Sequence, residues 1–429
     1  MSGTHICAVH ARTVYDSRGR PTVEAEVRLA GGAMGRGIAP AGASRGRHEA
    51  VDLRDGGAAL GGFGVARAVE SAKGPLARAI VGLDAADQAQ VDRALIAADG
   101  TSDKSRLGGN AIVALSLASL DAAARASGLA TWAWLAQGRP VTLPMPEIQI
   151  FGGGAHAGRR VDIQDFMVVP VGASCFAQAL SMVADVYRAA GEVMAEADKL
   201  AGVADEGGYW PMFATNEDAL DYLARSIERA GLRPGAEVAI SLDVAASEFG
   251  RDGRYRLGLE GRELDTGGMI DLLAGWLSRY PIVSVEDPLA EDDEAGLVEF
   301  TRRFGERVQV VGDDYLVTNA ERVVRAAGHG ACNAALIKVN QAGTVTEAQT
   351  ALDAARVAGW GAIVSARSGE TEDVAIVHLA TGWAAGQLKV GSFARSERMA
   401  KWNEGLRVEE ALGSTARFAG WPPAGIAGT

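Results

Sequence analysis

From about residue 143 onward the chain repeats one pattern: a short apolar run, a charged residue at its end, then a longer amphipathic stretch. Val238–Leu242 ends in Asp243, and Ile282–Val285 ends in Glu286. Val308–Val311 leads into Asp313, Ala334–Ile337 ends in Lys338, Ala362–Ser365 leads to Arg367, and Leu388 gives Lys389. Continuous apolar runs separated by helical stretches predict parallel strands buried on both faces. If those strands close into a barrel, the terminal charges converge on one rim, where barrel enzymes carry their chemistry. A single such charge is more simply a solvated strand end; the succession predicts a site.

The first third reads differently. Thr22–Leu29 alternates Val23, Ala25, Val27 and Leu29 with Glu24, Glu26 and Arg28, the pattern of a half-buried antiparallel strand. The turn Gly31-Gly32 leads to a second short strand near Gly37–Ala39, and helical spacing predicts helices over Val65–Ala79 and Ala111–Ser127. The expected organisation is an α+β capping domain over residues 1–142 and a catalytic barrel over residues 143–429. A length of 429 residues suits two domains.

With 48% hydrophobic and 22% charged residues the balance is that of a packed soluble protein. A net charge of −12 speaks against nucleic acid and anionic membranes as partners, but not against an anionic substrate held by local cations. Three scattered cysteines, Cys7, Cys175 and Cys332, show no pairing or metal spacing, which fits a reducing cytoplasm. No signal-peptide core and no apolar run of membrane-spanning length can be drawn.

Asp243, Glu286 and Asp313 are three carboxylates from consecutive strand ends, and hard oxygen ligands suit Mg²⁺. Lys338 and Lys389 come from the other side of the rim, and a lysine among cations sheds its proton more readily and can act as a base. Glu206, in the glycine-flanked loop Ala204–Gly208, is placed to donate a proton from the opposite side. Acid, lysine base and divalent metal together suit abstraction of a weakly acidic proton beside a carboxylate.

An ordered set of motifs then resembles the enolase family. It runs from Asp16-Ser17-Arg18-Gly19 and Gly42-Ala43-Ser44 through Gly153-Gly154-Ala155-His156, Asp205-Glu206-Gly207-Gly208 and Ser241–Phe249. Val285–Pro288, Gly312-Asp313-Asp314, Ile337–Gln341, Ser368–Asp373 and Ala394–Arg398 complete it. The match covers about Thr13 to Leu412. The resemblance implies a TIM-type (β/α)8 barrel with an N-terminal α+β cap, acting on a small anionic phosphorylated three-carbon substrate such as 2-phosphoglycerate or phosphoenolpyruvate. It implies one structural Mg²⁺ on Asp243, Glu286 and Asp313, and a second arriving with substrate through the loop at Ser44. Lys338 is then the base and Glu206 the acid, with Asp165 a further catalytic carboxylate. Substrate falls to His156, Gln164, Arg367, Ser368, Lys389, Ser44 and Arg45. Family members are usually homodimers or larger rings, so a homo-oligomer is expected.

Several positions depart from the family pattern. Ala366 stands where the family has histidine, Asp165 where it has glutamate, and Gly152 and Gln149 where it has asparagine. Arg45 and Arg159-Arg160 add positive charge. His to Ala, Asn to Gly and Glu to Asp each remove volume, so the expectation is a wider, more basic pocket that keeps its enolate machinery. That resembles the carboxyphosphonoenolpyruvate synthases of phosphonate-antibiotic pathways, whose co-substrate is a nucleotide-activated phosphonoformate. The alternatives are an ordinary phosphopyruvate hydratase and a catalytically inactive enolase fold used for binding; the intact carboxylates and lysines argue against the second. The tail after Leu412, rich in Gly, Ala and Pro, is expected to carry no chemistry.

Overall fold

The structure, a computed structural model, describes residues 3–43, 46–423 and 425–426. The expected roles of Ser44 and Arg45 therefore lie outside the described residues. The chain opens with an antiparallel sheet of β1 (Ile6–Tyr15), β2 (Pro21–Leu29) and β3 (Met34–Ile38), in the order β1-β2-β3. β2 is buried more completely than its alternation predicts. Glu24, on its polar face, is only 3% exposed because Arg12 from β1 and Arg36 from β3 reach over it. β1 has no clean alternation of its own, since most of its side chains are exposed or half-exposed, and the sequence pattern passes over it.

The helix Gly109–Ala126 packs on this sheet and is buried on nearly all sides. Its close approach depends on two glycines of β3. A methyl group at Gly35 would stand 2.1 Å from the backbone nitrogen of Ala122, and one at Gly37 would stand 2.6 Å from the Ala114 carbonyl. The helix expected over Val65–Ala79 is broken into Ala66–Ser71, a wider turn at Ala72–Leu76 and Ala77–Ile80. Pro75 lies in that wider turn and offers no N–H to an α-helical ladder.

The barrel comprises eight strands: β4 (Met145–Gly152), β5 (Asp165–Val169), β6 (Ala239–Asp243), β7 (Ile282–Glu286), β8 (Gln309–Gly312), β9 (Ala334–Ile337), β10 (Gly361–Ser365) and β11 (Gly386–Ser392). Each pairs with the next and β11 pairs back with β4, so the barrel is closed. The all-parallel expectation fails at one strand. β5 runs antiparallel to both β4 and β6, so the barrel opens with a hairpin-like pair rather than a strand–helix–strand unit. Asp165, the first residue of β5, thereby reaches the same rim as Asp243, its register partner on β6.

The strands are apolar toward the surrounding helices, but the interior carries a polar layer the sequence pattern hides. Gln309 and Gln387 exchange amide hydrogen bonds across the barrel (2.6 and 3.1 Å), Ser284 donates to Gln309 (3.1 Å), and Ser241 donates to the buried Glu147. Beside it Val311, Ala334, Leu336 and Ile363 form a small apolar cluster separate from the main core.

The two domains are stitched along one side of the rim. Ala41 and Gly369 exchange backbone hydrogen bonds of 2.9 Å, Ala50 N–H donates to the Gln341 carbonyl (2.8 Å), and Lys104 pairs with Glu347 (2.9 Å). The tail returns to the start of the barrel: Leu143 N–H donates to the Arg417 carbonyl (2.7 Å) and Ala419 N–H to the Leu143 carbonyl (2.9 Å). Among the described residues no helix is long and apolar enough to cross a membrane.

Gly35→Val tests the helix-on-strand contact. The clash is with backbone, which cannot rotate away, so the variant should lose roughly 3 kcal/mol or more of stability. A thermal melt followed by circular dichroism checks it; an unchanged midpoint would show that the cap packs another way.

Candidate active site

The rim of the barrel brings together most of the residues that the sequence singles out. Lys389 is not at the end of its strand but within β11, level with Ser365 on β10 and Glu147 on β4. From there its Nζ reaches Asp243 Oδ2 and Glu286 Oε2, both at 2.7 Å, with Asp165 Oδ2 at 3.9 Å. All four residues are buried. Burial alone would push the Lys389 proton off, but the surrounding carboxylates outweigh it and hold the ammonium well above its ordinary range.

Lys338, which follows β9, binds Asp313 through its ammonium. Asp313 is fixed on its other oxygen by Gln341 Nε2 (2.8 Å). The expectation that neighbouring cations lower the Lys338 pKa is reversed in this arrangement. Burial, Arg367 and Lys389 do press downward, but Asp313 prevails and the direction is up. The ammonium form of Lys338 is therefore favoured for as long as Asp313 faces it.

Arg367 lies buried beside this pair, its guanidinium gripping both carboxylate oxygens of Glu49 at 2.9 and 3.2 Å. Glu49 belongs to the capping domain, so the second domain supplies a wall of the site. Glu49 has no signature in the sequence, because a lone glutamate in a polar loop has no spacing signal. Nor does the sequence mark Glu147, or Gln149 as an amide that anchors Asp165.

The opposite wall is built on the loop between β4 and β5. His156 Nδ1 stands 3.1 Å from Asp165 Oδ1, its Nε2 lies 3.3 Å from Ser368 Oγ and 3.7 Å from Glu206 Oε1. Burial disfavours the imidazolium, yet Asp165 and Glu206 overcome this and raise the His156 pKa to about 9. Burial raises and His156 lowers the Asp165 carboxyl, and the net direction is down, so the histidine contact favours the carboxylate form of Asp165. Gln164 Nε2 donates to Asp243 Oδ2 (3.1 Å).

The departures from the family pattern separate when placed in space. Ala366 and Asp165 both line the cavity among Lys338, Lys389, Glu206 and His156. Gly152 does not widen it: a methyl group there would meet the Ala204 methyl at 2.6 Å, and the Gln149 amide at 3.3 Å. Arg159 and Arg160 are exposed, and Arg159 pairs with Glu248 at 3.1 Å. They stand outside the catalytic cavity, whose volume is about 20 Å³ with the lysines drawn onto the carboxylates.

Oxygen donors for a hard cation are present. Glu286 Oε1 is buried without a hydrogen-bond partner, and burial followed by Asp243 drives the Glu286 carboxyl well above its ordinary range. An ionised Glu286 here thus calls for more positive charge than Lys389 supplies. Asp287, Asp313 and Asp314 bring carboxylate oxygens within 4.8 Å of one another, as do the ligand atoms of His156, Asp165 and Glu206. Asp287 is in the left-handed region (φ 41°) and accepts the N–H groups of Asp313 and Asp314 (2.9 and 2.8 Å), so it shapes the Asp313 turn. Of the triple, Asp243 and Glu286 are bridged by Lys389, while Asp313 is held separately by Lys338.

Two family models match the chain. "Enolase, N-terminal domain" matches residues 6–135 and "Enolase, C-terminal TIM barrel domain" matches residues 140–424.

Because its folded pKa is raised, protonated His156 stabilises the fold fully below about pH 6.5, and that contribution is lost as pH rises through about 9. Nitrogen NMR of the imidazole should show it still charged at pH 8, and His156→Gln should flatten the stability profile across this window. Titration near 6.5 would mean the Asp165 contact is absent in solution. Glu49→Ala leaves Arg367 in a buried site without its main counter-charge and should cost about 3–5 kcal/mol, read from urea denaturation.

Proposed function

Because the chain belongs to the enolase family through both of its domains, we propose that it is a Mg²⁺-dependent enzyme that acts on a 2-phosphoglycerate- or phosphoenolpyruvate-type substrate through enolate chemistry. We further read it as a specialised member of the carboxyphosphonoenolpyruvate synthase kind. The observation that carries the specialised reading is the wall formed by Ala366 and Asp165. Ala366 has no side-chain polar group, and Asp165 is engaged by His156, so neither assists Glu206 in protonating a departing hydroxide.

The acidic set fits a hard cation: Asp243, Glu286 and Asp313 would hold one Mg²⁺, and the partnerless Glu286 oxygen is the best sign of it. Magnesium bound there supplies the positive charge that an enolate dianion requires. Lys338 takes the proton next to the substrate carboxylate, once Asp313 no longer holds its ammonium. Glu206, beside His156 on the opposite wall, handles the proton on the other face. Arg367, Ser368 and Lys389 hold the substrate's anionic ends, with His156 Nε2 near Ser368 turned to the same space. Burial of the whole set excludes water and strengthens each charge contact.

A plain phosphopyruvate hydratase is the second reading. It is favoured by Gly152 and Arg159-Arg160, which in this structure leave the cavity neither wider nor more basic. The partner of either enzyme is a small phosphorylated acid, with a nucleotide-activated co-substrate only in the first reading, and a cytoplasmic homo-oligomer is proposed for both.

Incubation with 2-phosphoglycerate and Mg²⁺, followed by ultraviolet absorbance of the enol product, decides between them. The specialised reading expects turnover reduced by about 10²–10⁴ relative to an enzyme whose residues at these two positions assist the acid. Turnover at ordinary hydratase rates would overturn it. Lys338→Ala should abolish turnover of the true substrate in both readings, and chelation of Mg²⁺ should do the same while lowering the melting temperature.

A further inference from the structure

One side chain behind the wall that carries His156 touches both of that wall's working parts. Gln149, on β4, is fully buried and stands behind the cavity, not on its surface. Its Nε2 donates to Asp165 Oδ1, and its Oε1 accepts the Gly208 N–H at 2.8 Å. Only this setting of the amide satisfies both neighbours. Turned over, it would set N–H against N–H and oxygen against a carboxylate.

Each of these contacts leads to the cavity. Asp165 Oδ1 also faces His156 Nδ1, at 3.1 Å. Gly208 closes the turn that carries Glu206: Ala204 N–H donates to the Gly208 carbonyl (2.7 Å) and Gly207 N–H to the Ala204 carbonyl (3.0 Å). The same turn meets the His156 loop where Asp205 N–H donates to the His156 carbonyl (3.2 Å).

Two glycines make room for the amide. A methyl group at Gly208 would stand 2.4 Å from Gln149 Oε1, and one at Gly152 would stand 3.3 Å from its Nε2. A longer side chain at residue 152 would need the volume that the glutamine amide fills. Three positions that depart from the enolase pattern, Gln149, Gly152 and Asp165, are therefore one contact cluster, and the departures fit one another. The amide is longer by one methylene, the carboxylate is shorter by one, and the residue beside the amide has lost its side chain.

Resting on the reading of His156 and Glu206 as groups that face the substrate, we propose that Gln149 is a positioning residue. Its amide sets where the Asp165 carboxylate meets His156 and ties that pair to the Glu206 turn. The reach between β4 and β5 is shared by the two side chains, so a methylene can pass from one to the other but cannot be taken from Gln149 alone. Without the amide, Asp165 is free to swing toward Lys389, whose Nζ lies 3.9 Å from its Oδ2.

NMR of the full-length protein tests this in wild type, Gln149→Met, Gln149→Asn and Gln149→Asn/Asp165→Glu. Gln149→Met keeps the length of the side chain and loses both hydrogen bonds, so the fold should survive. It should lower the His156 titration midpoint by roughly one unit and speed Gly208 amide exchange roughly tenfold. Gln149→Asn should do the same, and adding Asp165→Glu should bring both values back toward wild type. Wild-type values in Gln149→Met would reduce Gln149 to a filler of space and overturn the proposal. A double variant no closer to wild type than Gln149→Asn would overturn it too, because the reach would not be shared. Both values are read without substrate, so they stand or fall apart from the turnover assays that test the enolate reading.

Discussion

Everything at the barrel mouth depends on one ammonium group placed between buried carboxylates. Lys389 meets Asp243 and Glu286 at 2.7 Å in a place water barely reaches. Removing such charges from water costs several kcal/mol each, which is tolerable only when each finds an opposite charge at contact distance. The pairing has a mechanical side. It fixes β6, β7 and β11 relative to one another from within, so that the rim is held by the groups that do the chemistry. The same logic recurs at Lys338 with Asp313 and at Arg367 with Glu49. The last of these draws the capping domain against the barrel, so domain docking and site assembly are one event.

The barrel was legible because strands buried on both faces are almost uniformly apolar and their ends are not. Six of the eight strands announce themselves in that way. β4 and β5 did not: Glu147 and Gln149 interrupt the run of β4, and the charge of β5, Asp165, stands before its apolar run and not after it. The reversed direction of β5 has no signature in composition at all. The twelve-residue connection lies at the lower limit for a crossover and holds only the short turn Gly154–Ala157, a fact visible only once both strand ends are known.

At the site, residue types were legible and relations were not. Strand-end position gave Asp243, Glu286, Asp313 and Lys338, but Lys389 reaches the rim from the middle of a longer strand. The direction of the Lys338 pKa depends on a contact with Asp313 that spacing cannot show. Gly152 looked like lost volume, because a sequence shows the side chain that is missing and not the Ala204 methyl that fills its place. Arg159 looked like pocket charge for a similar reason; its loop carries it outward to Glu248.

The reversed strand has one further consequence. Gly152 and Asp165 are register partners, so the loop that carries His156 leaves and re-enters the barrel at neighbouring points on one face. Its ends are held together by the sheet whatever its length, and closing a longer loop between fixed neighbours adds only about 0.6 kcal/mol per doubling. A strand–helix–strand unit has no such freedom, because its loop must deliver the chain to a helix on the outside. This fold therefore has a place where residues can be gained or lost over the substrate without disturbing the barrel. New specificity can arise there by insertion, while the buried charges below stay as they are.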